Sequence, residues 1–270
     1  MRSLRASGAL CALLAIAAPP TRLAAQTDFY NTDASRPVRV EDATPVERHA
    51  FELQMAPLRL ERERGGVYAW EVEPELAYGI LPRTQVEVAF PLRVVDAGSG
   101  RRTFALAGIH LSALHNLNVE TSLPALAVAA EVAIPAGGLA ADRTYASVKG
   151  IATRTLRWAR FHLNGQYTFG AAPGAGESAG EASRWMAGIA VDRTFPFRST
   201  LVIADLFAEQ PLGGGTDLAW TAEAGVRYQT SPQFNLDAGV GRRFAGGDEA
   251  WFFTFGMSHA FALRGLIPLR

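Results

Sequence analysis

The chain has 270 residues, 26 basic and 26 acidic side chains and 49% hydrophobic residues. A formal net charge of zero leaves no basic footprint for nucleic acid, and no such partner is expected. The single cysteine, Cys11, excludes a disulfide scaffold and a multi-thiolate metal centre. Lys149 is the only lysine, a bias explained either by genomic base composition or by ion networks that use the planar arginine fork.

Residues 1–25 read as a secretory signal peptide. Arg2 and Arg5 give a positive start, an apolar run follows over residues 9–18, and Leu23-Ala24-Ala25 offers a small-residue cleavage site before Gln26. The apolar run is too short to span a bilayer. Cys11 lies within it and follows Leu10, which is too large for a lipoprotein processing site. Export into a Gram-negative envelope is therefore expected. Residues 26–48 are polar and without a period, which makes them either a periplasmic arm or a plug tucked into a lumen.

From residue 49 onward the hydrophobic period is two. A weaker strand over 49–60 precedes a firm one over 67–80, where Tyr68, Trp70, Val72, Pro74, Leu76, Tyr78 and Ile80 share one face. The other face carries Glu71, Glu73 and Glu75; a helix would scatter these carboxylates around its circumference. Val86, Val88, Phe90 and Leu92 then alternate with Gln85, Glu87, Ala89 and Arg93. A weak segment over 103–117 follows. Next, Leu126, Val128, Val132 and Ile134 alternate with Ala127, Ala129, Glu131 and Ala133. After a weak segment at 143–156, Phe161, Leu163, Tyr167 and Phe169 alternate with His162, Asn164, Gln166 and Thr168. Trp185, Ile189 and Val191 oppose Arg184, Gly188 and Asp192. The stretch 199–208 is apolar on both faces apart from Asp205, so its sides cannot be assigned. The last strands set Trp220, Val226 and Tyr228 against Thr221, Glu223 and Arg227, then Leu236 and Val240 against Asn235, Asp237 and Arg243. Trp251, Phe253, Phe255, Met257 and Phe261 close the series.

About twelve strands result, an even number as bacterial outer-membrane barrels have. Three observations favour a closed antiparallel transmembrane β-barrel over 49–262, with a tail at 263–270, rather than a soluble sandwich. The face opposite the bulky groups is small or charged, as a lumen wall is. Tyr68 and Tyr78 are ten residues apart, as are Trp251 and Phe261, and ten tilted strand residues rise roughly 25 Å, the height of an apolar band between aromatic girdles. Connections also alternate. Short turns at 81–84, 155–157, 196–198 and 229–232 are expected on the periplasmic side; longer Gly-rich loops at 96–101, 135–143, 170–182, 210–216 and 245–249 are expected outside. Pro57 and Pro74 conflict with a closed wall unless each sits at a bulge or forfeits a ladder bond.

This pattern yields two sets of candidate residues. The lumen lining is Glu71, Glu73, Glu75, Glu87, Arg93, Glu131, His162, Asn164, Gln166, Arg184, Glu223, Arg227, Asn235, Asp237 and Arg243. The aromatic girdle is Tyr68, Trp70, Tyr78, Trp185, Trp220, Tyr228, Trp251 and Phe261. The three same-face glutamates form either an acidic strip selecting solutes or part of a salt-bridge web with Arg93, Arg184, Arg227 and Arg243 that plugs the bore; the web is slightly favoured. The histidines, His49, His110, His115, His162 and His259, are scattered along the chain without HExxH spacing, and no Gly-x-Ser-x-Gly elbow is present. No catalytic residue, metal or cofactor is expected.

Three short motifs resemble a known family. Tyr78-Gly79-Ile80-Leu81-Pro82-Arg83-Thr84-Gln85-Val86-Glu87-Val88, Ala133-Ile134-Pro135-Ala136-Gly137-Gly138 and Phe161-His162-Leu163-Asn164-Gly165-Gln166-Tyr167 resemble segments of the outer-membrane transporter family linked to meta-pathway phenol degradation. The likeness runs loosely over most of the chain after residue 25, in motifs that barrels share widely. It implies a channel for small, often hydrophobic or aromatic compounds. The chain departs from the usual barrel ending, because residues 262–270 follow Phe261. The expected function is thus a porin-like outer-membrane channel for passive passage of small solutes, embedded in outer-membrane lipid and inserted by the barrel-assembly machinery. The alternatives are a structural or adhesive barrel and a lipid hydrolase, the latter requiring a Ser or Thr hydroxyl within reach of His162 or His259.

Overall fold

The computed structural model describes residues 30–62, 68–96, 102–141, 143–170, 184–194, 198–211, 217–245 and 249–263. Residues 1–25, where a signal peptide is expected, residues 26–29, the tail after residue 263 and parts of several loops lie outside the described residues.

Fourteen strand segments follow one another: β1 (Ala50–Arg62), β2 (Tyr68–Leu81), β3 (Thr84–Ala89), β4 (Leu92–Asp96), β5 (Arg102–Leu106), β6 (Ile109–Asn116), β7 (Ala125–Ile134), β8 (Tyr145–Thr155), β9 (Arg160–Phe169), β10 (Arg184–Thr194), β11 (Thr200–Pro211), β12 (Ala219–Ser231), β13 (Phe234–Arg243) and β14 (Ala250–Ala262). All strand pairings are antiparallel, and β1 pairs with β14 from Ala50↔Ala262 to Arg62↔Trp251. β3 and β4 both lie along β2, and β5 and β6 continue each other along β4 and β3. The fourteen segments therefore form twelve wall strands, and the wall is a closed barrel. Closure leaves no edge along the membrane-spanning wall, the condition for β-structure in hydrocarbon.

The proline conflict is resolved locally. Pro74 stands opposite Met55, where the β1 register shifts between Met55 and Leu58 beside Pro57. One strand further on, Pro91 separates β3 from β4, and the next strand is interrupted at Ala107-Gly108. The ladder is bridged there by Phe90 N–H donating to the Pro74 carbonyl (2.9 Å) and Ala107 N–H to that of Pro91 (2.8 Å). Gly108 takes a φ of 138° at this break, a conformation that disfavours a side chain. Missing donors and bulges are thus gathered in one line across four adjacent wall strands, while β8 to β11 pair without register shifts.

Most turns on the side of the β1 N-terminus are short. The exception is residues 117–124 between β6 and β7, which sequence reading did not single out. Asn118 organises it, donating to the Pro124 carbonyl (2.9 Å) and accepting from Leu126 N–H (2.9 Å).

Strand alternation sorts the side chains as the hydrophobic pattern demands. Leu163, Ile189, Tyr228, Trp251, Phe253 and Phe255 are exposed on the outer surface, whereas Asn164, Asp192, Glu223, Arg227, Asn235 and Ser258 are buried on the inner one. The ambiguous stretch 199–208 also takes sides: Leu201, Ile203, Asp205 and Phe207 are buried inward, and Val202 and Leu206 face out. Something apolar must therefore occupy the lumen beside β11.

Candidate functional site: the lumen and its arm

That occupant is the chain's own N-terminal segment. Residues 30–47 enter no wall ladder, and Val38, Val40 and Ala43 are fully buried. Residues 30–48 lie on the inner side of the wall. Val38 and Val40 pack with Ala190 and Ile203; Ala43 packs with Leu114, Ala127 and Ile151; Val46 packs with Ala50, Ala77 and Ala260. Ile203 of β11 covers this segment, and an inner face carrying such apolar residues leaves that strand without a period.

The arm runs across the strands, so it meets wall side chains instead of wall backbone, and each buried N–H needs a side-chain acceptor. The wall supplies them in circumferential order. Arg39 N–H donates to Glu223 on β12 (2.6 Å), Val40 to Asp205 on β11 (2.9 Å) and Glu41 to Asn164 on β9 (3.0 Å). Ala43 N–H then donates to Thr153 on β8 (3.0 Å), and Val46 to Gln85 on β3 (2.5 Å). Donors return to the arm carbonyls: Thr254 to Pro37 (3.1 Å), Asn164 to Glu41 (2.9 Å) and Asn116 to Ala43 (2.8 Å). The arm is a hoop lying on the inside of the wall.

Glycines make room for it. A Cβ on Gly225 would lie 2.6 Å from the Pro37 side chain and one on Gly188 would lie 2.7 Å from Val40 Cγ2, while at Gly79 it would overlap the Glu47 carbonyl. Gly79 lets arm backbone approach wall backbone, while Gly188 and Gly225 leave room for the Val40 and Pro37 side chains.

Charge completes the seat. Arg36, 1% exposed, ion-pairs with Asp33, with Glu52 on β1 (3.2 Å) and with Asp237 on β13 (3.6 Å). Arg227 pairs with Asp237 (2.5 Å) and Asp33 (3.4 Å). Opposite, Lys149 meets Glu41 (2.5 Å), and Arg160 meets Asp42 (3.5 Å) and Asp192 (2.7 Å). Arginine's rigid fork suits such shared pairing, and the counter-charges keep otherwise costly buried ions tolerable.

The other half of the lumen is wetter. Glu71 pairs with Arg93 (2.6 Å), whose side chain is 47% exposed, and Glu73 pairs with His110 (3.0 Å). Arg243 pairs with Glu61 (2.9 Å), and Arg59 lies over the Phe252 ring at 3.7 Å. Tyr145, Met186, Phe207 and Phe252 are buried on inward positions of this wall.

The anticipated lumen residues therefore fall into different groups. Glu223, Arg227, Asp237, His162 and Asn164 meet the arm or its neighbours, and Glu71, Arg93 and Arg243 belong to the wetter half. Glu87 accepts from Ser112 (2.6 Å) and from Gln85. Glu131 stands opposite Ser112 and Ser147, and Gln166 opposite Lys149 and Met186. Arg184 is half-buried beside Thr168 and Pro211, and Asn235 is buried between Gln229 and Ser258. Of the arginines considered for a web with the three glutamates, only Arg93 pairs with one; Glu75 stands opposite Gln54. Arg227 and Arg243 turn instead to Asp33, Asp237 and Glu61, partners contributed by the arm, β13 and β1. Sequence reasoning missed Arg36, Asp33, Asp42 and Thr153, whose partners come from far along the chain.

The girdle candidates separate in the same way. Tyr68, Trp70, Trp251, Trp220 and Tyr228 are exposed, with Arg62 over Tyr68 and Arg242 over Trp251. Tyr78 and Phe261 are half-buried and stack on Phe51 at 4.4 and 5.4 Å; Trp185 is half-buried. Phe51 joins the rim although its strand was among the weakest in the sequence.

One arrangement has catalytic geometry. Thr153 Oγ1 lies 3.0 Å from His162 Nδ1, and His162 Nε2 lies 2.8 Å from Asp192 Oδ2. All three are buried, and the Thr153 oxygen also accepts Ala43 N–H. The hydroxyl–imidazole–carboxylate chain is thus committed to holding the arm. Among the described residues no group of three or more His, Asp or Glu is placed to hold a metal ion.

No protein-family model and no curated protein matches the sequence. Solved structures do match. An outer membrane channel from Pseudomonas putida F1 superposes with a TM-score of 0.59 at 14% identity, over 82% of this chain and 98% of that one. The NanC porin gives 0.56 at 9% identity, over 77% and 98%. The translocator domain of the autotransporter NalP from Neisseria meningitidis gives 0.51 at 13%, over 78% and 88%. This chain has the fold of outer-membrane β-barrels. Channels and a translocator domain share that fold, so the choice among functions rests on the lumen.

Proposed function

We propose that the protein is an outer-membrane channel for passive passage of small solutes, placed in the Gram-negative outer membrane after export and insertion by the barrel-assembly machinery. The observation that carries this reading is the water-accessible half of the lumen: Glu71, Arg93 and His110 remain partly exposed on inward positions of a wall whose outer face is apolar. A barrel serving only as an anchor or adhesin has no use for such a vestibule. Diffusion down it would be biased by wall charge, with Glu71, Glu73 and Glu75 favouring cations. Small hydrophobic or aromatic solutes are the class implied by the resemblance to the phenol-pathway transporters. The likeness to a channel from Pseudomonas putida F1 supports the same reading.

Reconstitution in planar bilayers tests it. Stepwise conductance is expected, losing cation preference when Glu71, Glu73 and Glu75 become glutamine. Silence from the folded full chain and equally from an Arg36→Glu chain, whose arm Asp33, Glu52 and Asp237 would repel, removes the channel reading.

A second reading has one observation in its favour, the Thr153–His162–Asp192 chain, which gives a hydrolase its nucleophile and base. It needs the arm to leave before Thr153 can meet a substrate. Turnover of short-chain esters by the Arg36→Glu protein, abolished by Thr153→Val, would establish it; no turnover disposes of it.

A further inference from the structure

The wet vestibule ends on a dry floor. Arg36 and Arg227, at the centre of the arm's ion network, are each 1% exposed, so no water reaches them from either end of the barrel. The arm forms that floor, yet the wall does not depend on it, because barrel closure begins at Ala50. Its two halves are held differently. Residues 43–49 run from β8 back to the strand beside β1: Ala43 N–H donates to Thr153, Val46 N–H to Gln85 and His49 N–H to the Gly79 carbonyl (2.7 Å). Residues 30–42 cross the bore and are held only through side chains, among them Arg36 on Glu52 and Val40 against Gly188.

We propose that residues 30–42 are a stopper, tethered by residues 43–49, that must leave its seat for solute to cross the barrel. The inference rests on the channel reading above and adds where the barrier lies: at the arm, not at the outer loops. The seat is built for a chain segment, with glycine notches and a ring of acceptors aimed at backbone N–H groups. The same acceptors are polar wall groups that water can satisfy once the arm has gone, so the vacated lumen is a wet pore. Movement of the stopper breaks no wall hydrogen bond, which makes it the least costly way to open the bore.

A disulfide can hold the stopper down. The ideal Cβ of residue 188 lies 2.7 Å from Val40 Cγ2, close to the sulfur-to-Cβ separation within a disulfide bond. The full chain carrying Val40→Cys and Gly188→Cys is recorded in planar bilayers, oxidised and then reduced, beside the Arg36→Glu chain. Heat-modifiable gel migration confirms that each is folded. Loss of conductance on oxidation with recovery on reduction is the expected result. Silence of the double-cysteine protein in both states, with conductance from Arg36→Glu, also supports the stopper. Equal conductance in both states overturns it and leaves the channel reading standing. Silence of every folded variant instead brings down the channel reading itself.

Discussion

The two halves of the lumen solve the same problem differently. Both must house charged side chains inside a barrel. Around the arm, Arg36, Arg227, Asp237 and Asp42 are buried and their charges are matched within the protein. In the wetter half, Arg93 and Glu71 form a simple pair that solvent reaches. Buried charge is tolerated when it is paired, whereas solvated charge is free to meet a passing solute. The first half is therefore built for holding and the second for contact.

The sharpest way to break this contrast is Arg36→Ala. It leaves Glu52 without its cation and Asp33 and Asp237 to share Arg227 alone, and removing one member of such a network costs roughly 3–5 kcal/mol. The loss should fall on arm docking, because Arg36 contributes nothing to the wall ladder. Limited trypsin digestion is expected to cut at Arg39 or Arg48 in the variant long before it cuts the wild-type arm, with the barrel core intact. Equal protection would mean that the ion network is not what seats the arm.

Gly79→Ala is expected next in size. Its methyl would overlap the Glu47 carbonyl, and backbone cannot yield as a flexible side chain does, so about 1–3 kcal/mol of strain is expected. The same digestion assay should show partial release. Thr153→Val is smaller again. It removes the acceptor of Ala43 N–H and a partner of His162, at about 1 kcal/mol per lost bond, because water admitted to the lumen can replace the partner. Thermal unfolding in detergent should fall by a few degrees.

These particular residues also mark how far the sequence could be read. The wall was legible because a period of two writes itself into every strand with one apolar face, as in β2, β9 and β14. β11 resisted because both of its faces are apolar, one for lipid and one for Val38 and Val40; its lack of period was the only local sign of a lumenal occupant. The arm itself has no period because its partners change at every residue, from Glu223 to Asp205 to Asn164. Pairings such as Arg36 with Glu52 and Asp237, or Thr153 with His162, depend on barrel closure and on register, neither of which local composition encodes. Pro57 and Pro74 were recognised as trouble, but the line of interruptions they form with Pro91 and Gly108 emerges only when adjacent strands are laid side by side.

Arg93→Ala should change stability least and still be informative. The side chain is 47% exposed and its pair with Glu71 is reached by solvent, so its loss costs under about 1 kcal/mol. Thermal unfolding should be indistinguishable from that of the parent. Ion preference should not be: Glu71 would lose its counter-charge, and the vestibule would become more negative beside Glu73 and Glu75. Bilayer recordings at asymmetric salt are expected to show a reversal potential displaced toward cations. A stable barrel with unchanged preference would show that solutes do not pass along the β2–β4 wall, and the acidic strip would then be a lining without a role in selection.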